Sequence, residues 1–227
     1  MKHRLAVLIS GSGTNLQAIM DAIEAGWLNA EIVLVLSNRA DAGGLKRAAL
    51  AGIATQVVEH QAYPDRESFD QALVQALDPC EPDTVVLAGF MRVLTPVFVR
   101  HFRGKLLNIH PSLLPLYRGL HTHRRALEAG DQEHGCSIHF VSEELDGGPL
   151  IAQARIPVSW NETEDSLSTK VREQEHILFP LVLGWRAEGR LHWTDNGAEL
   201  DGKVVPEQGF QLDRLDPADP VVASACQ

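Results

Sequence analysis

Hydrophobic residues along the first half of the chain alternate between two patterns. Near-continuous apolar runs of strand length occupy residues 4–10, 31–37, 54–58, 83–89 and 105–110. Such runs belong to strands buried on both faces of a parallel sheet. Between them the apolar positions fall at helical spacing. Leu16, Ile19, Met20 and Ile23 mark a first helix that Gly26 stops, residues 45–51 a second that Gly52 closes, and Phe69, Leu73, Val74 and Leu77 a third. Residues 96–102 read as a fourth. This alternation predicts a doubly wound sheet with right-handed crossovers. After residue 110 the rhythm changes. A helix is expected at 123–131, and strands at 135–141 and 149–158 flank the loop SEELDGG as an antiparallel pair. Residues 163–188 read as one long helix, interrupted or bent at Pro180. Asn196-Gly197, between two strand-like runs, signals a hairpin. The expected fold is therefore α/β: a mostly parallel, Rossmann-like sheet with an antiparallel C-terminal portion, in one domain over 1–212 with halves meeting near 105. The aperiodic, proline-containing stretch 213–227 is expected to be a mobile tail.

Composition narrows the function. The chain has 227 residues, 44% hydrophobic and 22% charged, as in an ordinary globular protein. None of its apolar runs reaches the roughly 18 residues a bilayer span needs. The apolar run at the start ends in a glycine-rich turn that opens a helix, so it reads as a strand and not a signal peptide. Cys80, Cys136 and Cys226 are widely spaced and odd in number, which points to reduced thiols in a cytoplasmic protein. A net charge of −10 argues against a nucleic-acid surface and leaves small molecules as the expected partners.

Three constellations carry chemistry. SGSGTN, residues 10–15, lies where the first strand turns into the first helix. Such a turn gathers free backbone N–H groups at the positive end of a helix and suits a phosphate. A dinucleotide fingerprint would need a third glycine at Leu16 and a carboxylate after the second strand, where Ser37-Asn38 stands. One phosphate monoester, or a tight turn without a ligand, are the readings left. In the second constellation, Asn108 and His110 take alternate positions at the end of the fifth strand, so both side chains point the same way. Six of the ten histidines lie between His101 and His139. An amide and an imidazole aimed at one point can stabilise an oxyanion and move a proton. Zinc through His110, His121 and His123 competes weakly, because no cysteine or carboxylate stands at zinc spacing. The third is Asp146, ahead of Gly147-Gly148. It reads as a plain turn, or as a carboxylate delivered to a histidine and favouring its charged form.

In order along the chain, LISGSGTNLQAI, VVLAGFMRVL, LLNIHPSLLPLYRGLHTHRRALEAGD, HGCSIHFV, ELDGGPLI and QEHILFPLV resemble the blocks of the glycinamide ribonucleotide transformylases, members of the formyltetrahydrofolate-dependent formyltransferase superfamily. The resemblance runs from about residue 5 to 210. It implies the formyltransferase fold and a folate-dependent step of purine biosynthesis. The amine of glycinamide ribonucleotide would attack the formyl carbon of 10-formyltetrahydrofolate, and tetrahydrofolate would leave. It assigns catalysis to Asn108, His110 and Asp146, and the ribonucleotide to Gly13, Thr14, Asn15 and Glu175. Folate would be held by Arg66, Met91, Arg92, Val93, Leu94 and Asn108 with the loop Ser142, Glu143, Glu144, Leu145 and Asp146. His121 and Ser137 would support the site, and His139 could be structural. No metal is implied. The half to about 105 would bind nucleotide and the half from 106 folate, in a monomer or homodimer. Leu116, Arg118 and Cys136 depart from the family pattern. Methionyl-tRNA formyltransferase and formyltetrahydrofolate hydrolase share parts of these motifs. The first is expected to need a basic domain and the second an N-terminal regulatory one, and neither is expected here. A non-catalytic nucleotide sensor would not need Asn108, His110 and Asp146 together.

Overall fold

Strand β1 (His3–Ile9) shows why its sequence is apolar without a break. Leu5, Val7 and Ile9 enter one core layer and Ala6 and Leu8 the other, and all five are fully buried. A strand with a helix layer on each face has no side to leave polar. The computed structural model describes residues 1–213. After β1 come α1 (Thr14–Glu24), β2 (Ala30–Ser37), α2 (Gly43–Leu50), β3 (Thr55–Val57), α3 (Arg66–Leu77), β4 (Thr84–Leu87), α4 (Pro96–His101) and β5 (Leu106–His110). Then follow α5 (Thr122–Ala129), β6 (Glu133–Phe140), β7 (Leu150–Pro157), α6 (Glu164–Ala187), β8 (Leu191–Thr194), β9 (Gly197–Leu200), β10 (Lys203–Val204) and β11 (Phe210–Asp213).

Eight strands form one sheet in the order β11-β7-β6-β5-β4-β1-β2-β3, and β10-β9-β8 form a second, small antiparallel sheet. Pairing is parallel from β3 to β5, antiparallel on both sides of β6, and parallel again between β7 and β11. The chain reverses its direction of sheet growth between β1 and β4. In open α/β sheets ligands bind beyond the strand ends at such a switch point. Asp65 caps α3, its carboxylate accepting the Ser68 N–H at 2.8 Å. The aromatic and leucine side chains of α3 and α4 (Phe69, Leu73, Leu77, Phe98) cover one face, and α1 and α6 cover the other.

Several expectations need correction. Helix α6 runs through Pro180 without interruption. Pro180 lies in a buried run from Leu178 to Trp185, and packing on that scale outweighs one lost backbone hydrogen bond. The hairpin forms, but its two-residue loop is Asp195-Asn196, and Gly197 (φ 109°) opens β9. Strand β3 is an exposed edge rather than a doubly covered strand. Strands β10 and β11, too short for a periodic pattern, were not expected. Asp213 closes β11, so the expected tail does not begin there, and its remainder lies outside the described residues.

Candidate active site

The glycine-rich turn follows β1 at the switch point. Gly13 (φ 73°) stands at the start of α1, and no side chain caps the helix there. The first-turn N–H groups of α1 are thus left to a ligand or water. Gly13 cannot carry a side chain, because a Cβ there would lie 2.5 Å from Gly44 Cα in α2. Thr14 and Asn15 open α1. The Asn15 amide donates to Glu175 Oε2 at 2.9 Å, and Asn15 Oδ1 is buried with no partner among the described residues. Glu175 comes from α6. Burial pushes its carboxyl pKa up, opposed by the Asn15 hydrogen bond. The sequence-predicted ribonucleotide residues therefore meet in one place. Ser10 was not anticipated: its hydroxyl donates to Asn38 Oδ1 at 2.6 Å and accepts the Met91 N–H at 2.8 Å, tying β1, β2 and the segment after β4 together.

At the end of β5, register sets the chemistry. Asn108 faces His139 across the β5–β6 ladder, and His110 faces Ser137. Directly opposed residues share a sheet face. His139 Nδ1–H donates to the Phe140 carbonyl at 2.8 Å, which leaves Nε2 to accept from Asn108 Nδ2 at 3.1 Å. Burial lowers the pKa of His139 to about 4, so the ring is neutral at pH 7 and can accept. His110 Nε2–H donates to the Tyr117 carbonyl at 3.0 Å, and its Nδ1 lies 3.5 Å from Asp146 Oδ2. The same Asp146 oxygen accepts the Gly119 N–H at 2.9 Å, and Oδ1 lies 3.9 Å from His139 Nε2. Asp146 is held at φ 48°, a left-handed conformation that a non-glycine residue adopts only when its surroundings impose it. Asn108, His110 and Asp146 therefore meet, with the last two buried.

His139 is the residue that sequence reasoning undervalued. Its cross-strand position opposite Asn108 is a signal that register alone would reveal. Gln153, Tyr117 and Gly119 were missed altogether. Ser137 Oγ donates to the Ser112 carbonyl at 2.6 Å and accepts from the Leu114 N–H at 3.0 Å and from Gln153 Nε2 at 2.8 Å. Gln153 also donates to the Leu114 carbonyl. This buried polar ladder pins the loop whose Tyr117 and Gly119 reach His110 and Asp146. Ser137 thus joins β6 to the loop after β5. His121 starts α5 at φ 59°, and its side chain makes no hydrogen bond among the described residues. His123 pairs with His134 at 3.1 Å, and the His134 ring lies edge-on to Tyr117 with 6.3 Å between centroids.

The rest of the expected folate side is more exposed. Met91, Val93 and Leu145 are exposed apolar side chains beside the half-buried Arg92 and Leu94, and Arg66 heads α3. Buried Asp70 in α3 accepts the Thr95 N–H and so anchors the segment 91–95. Arg100 holds Glu143 through two hydrogen bonds of 2.7 and 2.9 Å, and Arg118 pairs with Glu144. Ser142 Oγ accepts the Glu144 N–H at 3.3 Å. Both glutamates point to arginines, and only Asp146 of this loop enters the buried cluster. Gly148 lets the loop close, since a Cβ there would lie 1.8 Å from the Phe140 carbonyl oxygen.

Residues 3–183 match the model of the formyl transferase family. The chain is 54% identical to phosphoribosylglycinamide formyltransferase of Escherichia coli (strain K12) over 209 residues, 92% of this chain and 99% of that protein. It is 48% identical to the Haemophilus influenzae protein of the same name, across 91% of this chain and 98% of that one. A solved phosphoribosylglycinamide formyltransferase from Coxiella burnetii superposes with a TM-score of 0.90 at 50% identity, covering 93% of this chain and all of that one. With most of its length matched and its polar cluster at the ligand end of the sheet, this chain belongs to the formyl transferase family.

Proposed function

We infer that this chain transfers the formyl group of 10-formyltetrahydrofolate to the amine of glycinamide ribonucleotide, a step of purine biosynthesis. The observation that carries the reading is the meeting of Asn108, His110 and Asp146 at a strand end, together with the buried α6 carboxylate of Glu175 that Asn15 of the phosphate-type turn binds. Asn108 Nδ2 has two protons and spends one on His139, so the other is free for a developing oxyanion. His110, when protonated, donates from both ring nitrogens. The amine attacks the formyl carbon, and the carbonyl oxygen takes up negative charge against the free Asn108 N–H and the positive charge of protonated His110. Asp146 orients His110 and accepts or passes the proton that leaves the attacking amine. The leaving folate nitrogen takes up a proton as the carbon–nitrogen bond breaks. Gly13, Thr14 and Asn15 would hold the phosphate and Glu175 the ribose hydroxyls. Arg66, segment 91–94 and loop 142–146 would hold the folate. None of the described helices is long and apolar enough to cross a membrane. On this reading the partners are two small molecules and the compartment is the cytoplasm.

The test is a formyl-transfer assay with one donor and three acceptors. Formylation of glycinamide ribonucleotide alone is expected. Formate release to water, or formylation of charged methionyl-tRNA, would place the chain elsewhere in the family.

A further inference from the structure

Helix α2 grips the outside of the glycine-rich turn. The Gly11 carbonyl accepts the Gly44 N–H at 3.1 Å, and the Ser12 carbonyl accepts Arg47 Nε–H at 2.9 Å. In a planar trans peptide the carbonyl and the following N–H point in opposite directions. Drawing both carbonyls toward α2 therefore turns the Ser12 and Gly13 N–H groups away from it, to the open side of the turn. Neither N–H donates to any group among the described residues. Arg47 Nη1 also donates to Gln17 Oε1 at 3.1 Å, and Gln17 Nε2 to Asp21 at 2.8 Å, so the same side chain spans the turn and the helix it opens. Its second amino group has no acceptor among the described residues, and Arg47 as a residue is half-buried, its Cδ beside Gly13.

We propose that Arg47 is a positioning residue for the acceptor's phosphate: it fixes the Ser12–Gly13 peptide plane, beside the Gly11–Ser12 plane held by the Gly44 N–H, so that the two N–H groups form an anion cradle, and it sets a permanent positive charge behind them. The inference rests on the reading of residues 13–15 as the phosphate turn. Successive N–H groups converging from one turn make an anion-binding concavity, and a guanidinium keeps its charge at every working pH.

The experiment compares glycinamide ribonucleotide with glycinamide riboside, the same acceptor without its phosphate. The ratio of their kcat/KM values reads the phosphate interaction alone. Arg47→Ala is expected to lower that ratio about tenfold, mainly through KM for the ribonucleotide, with KM for 10-formyltetrahydrofolate unchanged. Arg47→Lys, which keeps a cationic donor, is expected to recover part of the loss. Arg47→Gln serves as the milder variant if the alanine protein does not fold, with the same direction expected. An unchanged ratio, or equal losses on both acceptors, overturns the proposal. Failure of the unaltered protein to formylate the ribonucleotide would instead overturn the functional reading.

Discussion

Two buried groups at the site show how environment divides roles among similar side chains. His139 has its proton removed by burial and acts as an acceptor, and Glu175 has its charge made costly by burial while accepting from Asn15. Replacing Asp146 with Asn preserves an oxygen for the Gly119 N–H but removes the charge opposite His110. We expect kcat to fall about a hundredfold or more with an unchanged melting temperature; turnover near that of the unaltered protein would remove Asp146 from the chemistry. Glu175→Gln has two expected effects of opposite sign. The folded carboxyl pKa is raised above the unfolded value, so the native state loses stability as pH rises from the unfolded value through the folded one. Gln carries no such penalty and can still accept from Asn15. The variant should melt higher at pH 7, yet bind glycinamide ribonucleotide about ten- to a hundredfold more weakly, since a charge-assisted hydrogen bond contributes about 1.5–3 kcal/mol. Calorimetric titration of both substrates checks this, and equal weakening of both would mean that Glu175 is structural. Asn108, His110 and Asp146 were legible because chemistry-bearing residue types stood at strand-end and Gly-Gly positions. His139 was not, because its role depends on the β5–β6 register, which no local spacing encodes.

Among the elements, the loop after β5 and helix α5 rest on neutral histidines. His123 and His134 share a hydrogen bond at 3.1 Å, and both pKa values are lowered chiefly by burial, that of His134 to about 4. An unfolded histidine takes its proton near pH 6.5, whereas folded His134 and His139 take theirs only near about 4. Between those values the unfolded chain binds more protons, so stability falls as pH falls. Above pH 5 most carboxylates are silent, so the urea midpoint should drop measurably from pH 7 to pH 5. A flat midpoint across that window would falsify the neutral-histidine account. The parallel strands and the helices between them were legible because a doubly covered strand has no polar face and an amphipathic helix has one. Pro180 misled because local propensity speaks for an isolated helix, and α6 is surrounded. The short strands β10 and β11 exist only through their partners, β9 and β7.

Across the whole molecule, the two expected halves share one structure. The sheet continues through β5 into β6, and a single core layer includes Leu5, Ile9, Ile138, Phe179 and Val205. Helix α6 packs on residues of both halves and delivers Glu175 to the turn after β1. We therefore expect one cooperative unfolding transition. Calorimetric and van't Hoff enthalpies should agree, and two resolved transitions would separate the halves. The position of α6 along the chain also has a consequence for synthesis. A ribosome releases β1 to β5 long before α6 has been made, so the core layer of Leu5, Val7 and Ile9 has only α1 from its own side until α6, encoded about 170 residues later, completes the cover. Until then the nascent chain exposes apolar surface in the part that will hold the phosphate, and β7 keeps a free edge until β11 follows. Chaperone occupancy on stalled nascent chains should persist until α6 has cleared the exit tunnel.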